Sequence, residues 1–211
     1  MKTESILKID GINALIEKLG PVDAERFISS ILKEDFDYTI WQKNLFFNCV
    51  IIKCYQRIPN KLGEHNALKI YLDNCCFNRP FDNQKNIKIF LETHAKFYIQ
   101  QKILDGDYLL VWSYILEFEN EQNPFELRKK AILKWKDLAS EYIIENKKIL
   151  AYGESLLEKG LKPKDALHVS CAKYAKCDYF FTTDNGILKK KIDGLVIMNP
   201  VNFIELKEEY H

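Results

Sequence analysis

What most constrains this chain is a rhythm that starts at Leu68, in which short apolar runs are each followed by a stretch with helical spacing. Leu68-Lys69-Ile70-Tyr71-Leu72, Tyr108-Leu109-Leu110-Val111-Trp112, Tyr179-Phe180-Phe181-Thr182 and Leu195-Val196-Ile197-Met198 read as strands. Between them the pattern predicts helices over 83–102, 115–120, 124–141, 147–159, 164–175 and 185–190, with a last helix from Pro200. Gly160 is a helix stop and Pro163 a helix start. Short apolar strands alternating with helices argue for an α/β fold with a parallel sheet covered on both faces.

In such a sheet, ligands bind beyond the carboxyl ends of the strands. Asp73 follows the first strand directly, Glu117 lies a turn after the second, and Asp184 lies two residues after the third. Asp165 sits in the first turn of the helix leading into that third strand. Each has an ordinary explanation taken singly. Asp73-Asn74 can start a turn, Asp165 suits a helix dipole, Asp184-Asn185-Gly186 is a cap tripeptide, and Glu117 can be a solvated helix residue beside Glu119 and Glu121. Gathered at one sheet edge, however, four carboxylates repel one another unless cations neutralise them. Hard divalent ions such as Mg²⁺ or Mn²⁺ are the natural partners, and a pair of them can bridge and polarise a phosphodiester.

Composition sharpens this. Lys and Arg number 31 against 30 Asp and Glu, a net charge of +1, so nucleic acid is not gripped by bulk charge. Phosphate binding must come from a local arrangement or from metal ions, and two divalent ions would cancel the charge of four acids. No run reaches the roughly 18 apolar residues of a membrane span, and the charged N-terminus lacks a signal-peptide core, so the expected compartment is cytoplasmic. Cys49, Cys54, Cys75, Cys76, Cys171 and Cys177 form no C-x-x-C pair and read as reduced thiols.

Tyr71-Leu72-Asp73-Asn74, Leu116-Glu117-Phe118, Lys164-Asp165-Ala166-Leu167-His168 and Thr182-Thr183-Asp184 resemble, in order, the four acidic motifs of PIN-domain ribonucleases, including PIN toxins of the VapBC type. The resemblance spans about 68–206. It implies a PIN-like three-layer α/β/α fold with a central, mainly parallel sheet of four or five strands, preceded by a short helical N-terminal extension. It also implies a Mg²⁺- or Mn²⁺-dependent endoribonuclease acting on RNA, commonly a homodimer, whose bacterial members are often silenced by an antitoxin protein. Asp73, Glu117, Asp165 and Asp184 become the metal-binding acids, with Asn74 and Thr183 as polar supports. Asn74-Cys75-Cys76-Phe77-Asn78-Arg79 departs from the usual run after the first acid, which bears on substrate preference. Asp82, Glu119 and Asp178 are weaker acids, the last a turn residue. His168 reads mainly as a packed helix histidine, since two-metal hydrolysis needs no histidine base. His168 and Cys171 lack the further ligands of a zinc site. Lys164, Arg79 and Lys189-Lys190-Lys191 are cations that could meet phosphate.

The front of the chain is read as a helical extension over 1–46, a linker over 47–66 and the PIN domain over 67–211. Gly20-Pro21 breaks one helix and opens another, in which Ala24, Phe27, Ile28, Ile31 and Leu32 share an apolar face. A unit this small needs another surface to cover that face. Segments 9–27 and 37–42 are similar to the start of small antitoxin-like proteins, and the competing reading is an extension that packs on the domain. The functional alternative to an enzyme is an inactive RNA- or partner-binding regulator, a remnant of a toxin-antitoxin fusion.

Overall fold

The computed structural model describes residues 4–33 and 67–209. The readings made for 34–66, including the linker and segment 37–42, lie outside the described residues. Strands β1 (Leu68–Leu72), β2 (Tyr108–Ser113), β3 (Glu141–Ile143), β4 (Tyr179–Phe181) and β5 (Val196–Met198) form one sheet in the order β3-β2-β1-β4-β5. Every neighbouring pair is parallel. The helices are α1 (Glu4–Lys33), α2 (Asn74–Asn78), α3 (Ile87–Leu104), α4 (Tyr114–Glu121), α5 (Glu126–Leu133), α6 (Lys147–Glu158), α7 (Pro163–Tyr174), α8 (Asn185–Leu188) and α9 (Pro200–Glu209). A single 3-10 turn, Arg79–Phe81, follows α2.

The parallel α/β architecture agrees with the rhythm of the sequence. One strand is additional, for the helix expected over 124–141 ends at Leu133 and the chain turns into β3. This edge strand has three residues, and only Ile143 is buried. A run so short, opened by a glutamate and half exposed, has too little periodicity to announce itself.

Because side chains alternate along a strand, the sheet feeds two separate cores. Ile70, Leu72, Leu110, Trp112 and Phe181 point to one face, where they meet Val22 of α1, Ile99 of α3, Ile132 of α5 and Phe203 of α9. Tyr71, Val111 and Phe180 point to the other, against Ile149 and Leu156 of α6 and Val169 and Ala172 of α7. Each of these large side chains, nearly all fully buried, contributes about 1.5–3 kcal/mol.

The chain leaves β1 for β2 and β3 on one side, then returns to β4 and β5 on the other. The β1/β4 crevice is therefore the topological switch point, the position at which open α/β sheets bind ligands.

Helix α1 breaks at Gly20, whose φ of 77° is a left-handed conformation that glycine adopts without strain. Pro21 then starts a second arm, which packs on α3, α5 and the Arg79–Phe81 turn. Val22, Ala24, Glu25 and Ser29 are buried there. Glu25 ion-pairs with Lys96 of α3, a lysine with no exposed surface, and accepts a 2.8 Å hydrogen bond from Trp135 Nε1. The rings of Phe77, Phe97 and Trp135 lie 5.3–5.9 Å from the ammonium. Burial pushes the Lys96 pKa down, and the Glu25 carboxylate opposes that shift.

Among the described residues no helix is long and apolar enough to cross a membrane, and Cys75, Cys76, Cys171 and Cys177 are free thiols.

Candidate metal centre

Parallel pairing aligns Leu72 of β1 with Phe181 of β4, so the chains leaving those strands begin side by side. The Asp73 amide donates to Phe181 O at 2.9 Å, extending the ladder by one bond. Thr182 Oγ1 donates to Asp73 Oδ2 at 2.7 Å, and Cys75 Sγ approaches the same oxygen at 3.1 Å. Both described contacts use Oδ2, which leaves Oδ1 of this buried carboxylate to meet a cation.

Asp184 caps α8 through a 2.6 Å bond from the Gly186 amide to Oδ1, and its own amide donates to Thr182 Oγ1 at 3.1 Å. A Cβ at position 186 would lie 2.9 Å from that Oδ1, so only glycine leaves the carboxylate its position. Helix α7 leads back to the amino end of β4, so its own N-terminus lies at the carboxyl edge of the sheet. Pro163 opens it and Asp165 stands in the first turn. Burial raises the Asp165 pKa first, and the charges of Asp73 and Asp184 raise it further, against smaller opposing contributions from Lys162 and His168. The fold therefore brings three of the four expected acids into one electrostatic field.

The fourth, Glu117, is engaged elsewhere. Its oxygens accept from Lys136 Nζ at 2.6 Å and Tyr142 Oη at 2.5 Å. Burial raises its pKa, but these hydrogen bonds outweigh that and hold it below the usual range. The acid that joins the cluster is Glu119. Two helical residues are about 200° apart, so Glu117 and Glu119 face opposite ways on α4. The helix start is fixed by Ser113, whose Oγ accepts the Leu116 amide at 3.3 Å. Ile115, Leu116 and Asn120 are buried, and Glu119 lies on their face, whereas Phe118 beside Glu117 is 48% exposed. A helical wheel anchored on Ser113 would have separated the two acids.

Glu119 Oε2 is 2.9 Å from His168 Nε2, and Lys164 Nζ is 3.5 Å from Oε1. Burial raises the Glu119 pKa, but His168 and then Lys164 more than offset it, leaving it below the usual range. One ligand atom from each of Asp73, Glu119 and His168 lies within 4.8 Å of the others, a set that could hold a metal ion. The donor chemistry fits, with carboxylates converging on a crevice and the pKa of one of them, Asp165, raised by burial and then by its like-charged neighbours.

The expected supports divide. Asn74 accepts from Asn78 Nδ2 through its backbone O at 3.0 Å and its side-chain Oδ1 at 3.2 Å. Thr183 Oγ1 is buried without a hydrogen-bond partner among the described residues. The threonine that holds Asp73 is its neighbour Thr182. Because side chains alternate along extended chain, Thr182 shares a face with Asp184 and Thr183 does not. Asp82 pairs with Arg79 and Arg128, and Asp178 accepts the Lys69 amide at 2.8 Å, so both are structural acids.

Exchanging Glu117 for glutamine is expected to leave Mn²⁺ affinity within about twofold, while Glu119→Gln lowers it about tenfold or more. Calorimetric titration of both variants distinguishes the two acids.

No family model matches the chain, and no curated protein matches it. Among solved structures it is similar to a chain of the crystal structure of VapBC2 from Rickettsia felis bound to a DNA fragment from their promoter. The identity is 16% and the TM-score 0.43, over 63% of this chain and 98% of that one.

Proposed function

We propose that the chain is a PIN-type endoribonuclease that hydrolyses RNA phosphodiesters at the β1/β4 crevice with Mg²⁺ or Mn²⁺. The supporting observation is that Asp73, Asp165 and Asp184, drawn from three separate sequence motifs, share one field at the switch point, with Glu119 beside them. Asp73, Glu119, Asp165 and Asp184 would hold the ions. A bound divalent ion would polarise the phosphoryl oxygen and activate water.

The chain's own groups prepare that chemistry. Thr182 and Cys75 fix Asp73, the α8 cap fixes Asp184, and the first turn of α7 carries Asp165. Lys164, at the rim, has a side chain 55% exposed and is loosely paired, so it is free to turn from Glu119 to a phosphate. On this reading RNA is the substrate. The protein is the toxin component of a toxin-antitoxin system, works as a homodimer in the cytoplasm, and has an antitoxin as its partner.

The test is incubation of the full chain with single-stranded and structured RNA in Mg²⁺, Mn²⁺ or EDTA. Cleavage is expected with either metal and abolished by EDTA. Cleavage that survives both EDTA and Asp165→Asn would sink the mechanism, and RNA binding without cleavage would favour the non-catalytic regulator.

A further inference from the structure

Resting on the reading of this crevice as a metal site, we propose that His168 is itself a ligand, giving a mixed nitrogen and oxygen site that takes Mn²⁺ in preference to Mg²⁺. His168 is 1% exposed and lies one turn after Asp165 on α7. Its ring does more than fill space. Nε2 stands 2.9 Å from Glu119 Oε2, inside the 4.8 Å group that also contains an Asp73 oxygen. Donors sharing an edge of an octahedron of radius about 2.1 Å are about 3.0 Å apart, and opposite donors about 4.2 Å. Nε2 and Oε2 already stand at edge spacing, and the Asp73 oxygen, within 4.8 Å of both, needs only to draw in for the three to surround one ion.

The other ring nitrogen is held from behind. Nδ1 lies 2.7 Å from Tyr71 Oη, which lies 2.6 Å from Ser113 Oγ. Tyr71 is fully buried, stacks on Phe180 at 5.2 Å, and meets the imidazole edge-on at 5.8 Å. In the tautomer with Nδ1–H donating to Tyr71, and the phenol donating in turn to Ser113, Nε2 has its lone pair available for an ion held between Glu119 and Asp73. A histidine that binds metal typically has its second nitrogen anchored in this way, which fixes both tautomer and ring orientation.

Ion choice follows from the nitrogen. Mg²⁺ favours carboxylate and water, whereas imidazole adds affinity for first-row transition ions, of which Mn²⁺ also accepts carboxylates readily. A site of acids alone would discriminate less.

Pulsed EPR of the Mn²⁺-loaded full chain tests this, with calorimetric competition between Mn²⁺ and Mg²⁺. The expected result is a directly bound ¹⁴N coupling that changes to ¹⁵N when the histidines are ¹⁵N-labelled. In His168→Gln the coupling disappears and the preference for Mn²⁺ over Mg²⁺ falls about tenfold or more. The labelling experiment stands even if the variant does not fold. Saturable Mn²⁺ binding without a histidine nitrogen would overturn this proposal and leave the metal site standing, with His168 only orienting Glu119. Failure of the wild-type chain to bind Mn²⁺ would overturn both.

Discussion

Asp73→Asn is expected to lower metal-dependent RNA cleavage by about 100-fold or more with little loss of fold. Asparagine keeps the shape of the side chain and an oxygen to accept from Thr182, so the 2.7 Å bond at the end of β1 can persist. What goes is the charge. Asp73 is the buried acid at the centre of the crevice, and its ligand atom lies within 4.8 Å of those of both Glu119 and His168. A second readout needs no RNA. Burial and then the Asp73 and Asp184 charges hold the Asp165 pKa up, so removing one like charge should bring Asp165 down. Carboxyl NMR titration of the metal-free protein follows this directly, and an unmoved Asp165 would contradict the shared field.

Glu25→Ala is expected to cost about 3–5 kcal/mol, because it leaves Lys96 buried without its counter-charge. For a chain this long that is a fall in melting temperature of about 6–20 °C, read by calorimetry. Trp135 Nε1 loses its acceptor in the same change. The defect should also depend on pH. Burial already lowers the Lys96 pKa, and loss of Glu25 lowers it further, so the unfolded chain binds more protons than the folded one. Stability of the variant therefore rises with pH, from the depressed folded pKa up to the ordinary lysine pKa. Replacing both partners, as Glu25→Leu with Lys96→Met, should recover most of the loss. If Glu25→Ala melts with the wild type, the second arm of α1 contributes little to the fold.

The sheet was legible because its central strands are apolar runs between amphipathic helices, as Leu68–Leu72 and Tyr108–Ser113 show. β3 was not, being three residues long at an edge. The acids after β1 and β4 and at the start of α7 were legible because strand ends and helix starts fix their positions. That Glu119 rather than Glu117 stands beside Asp73 and His168 was not legible, because spacing from a strand end does not specify helix rotation, which depends on the Ser113 cap and the buried stripe of α4. Thr182 was missed in favour of Thr183 because adjacency in sequence counted for more than the alternation of an extended chain. His168 looked like packing, and its partners Tyr71 and Glu119, with Ser113 behind Tyr71, come from three other elements that only the folded sheet brings together. Nothing local predicts that Glu25 meets Lys96, which lies 71 residues further along.

The central claim, that the β1/β4 crevice is built to hold a divalent metal, is tested most directly by a Mn²⁺ binding isotherm on the wild-type chain and Asp73→Asn, with folding of both verified by circular dichroism. The account predicts saturable binding in the wild type and its loss in the folded variant. Absence of binding in the wild type, or equal binding in both proteins, would contradict it.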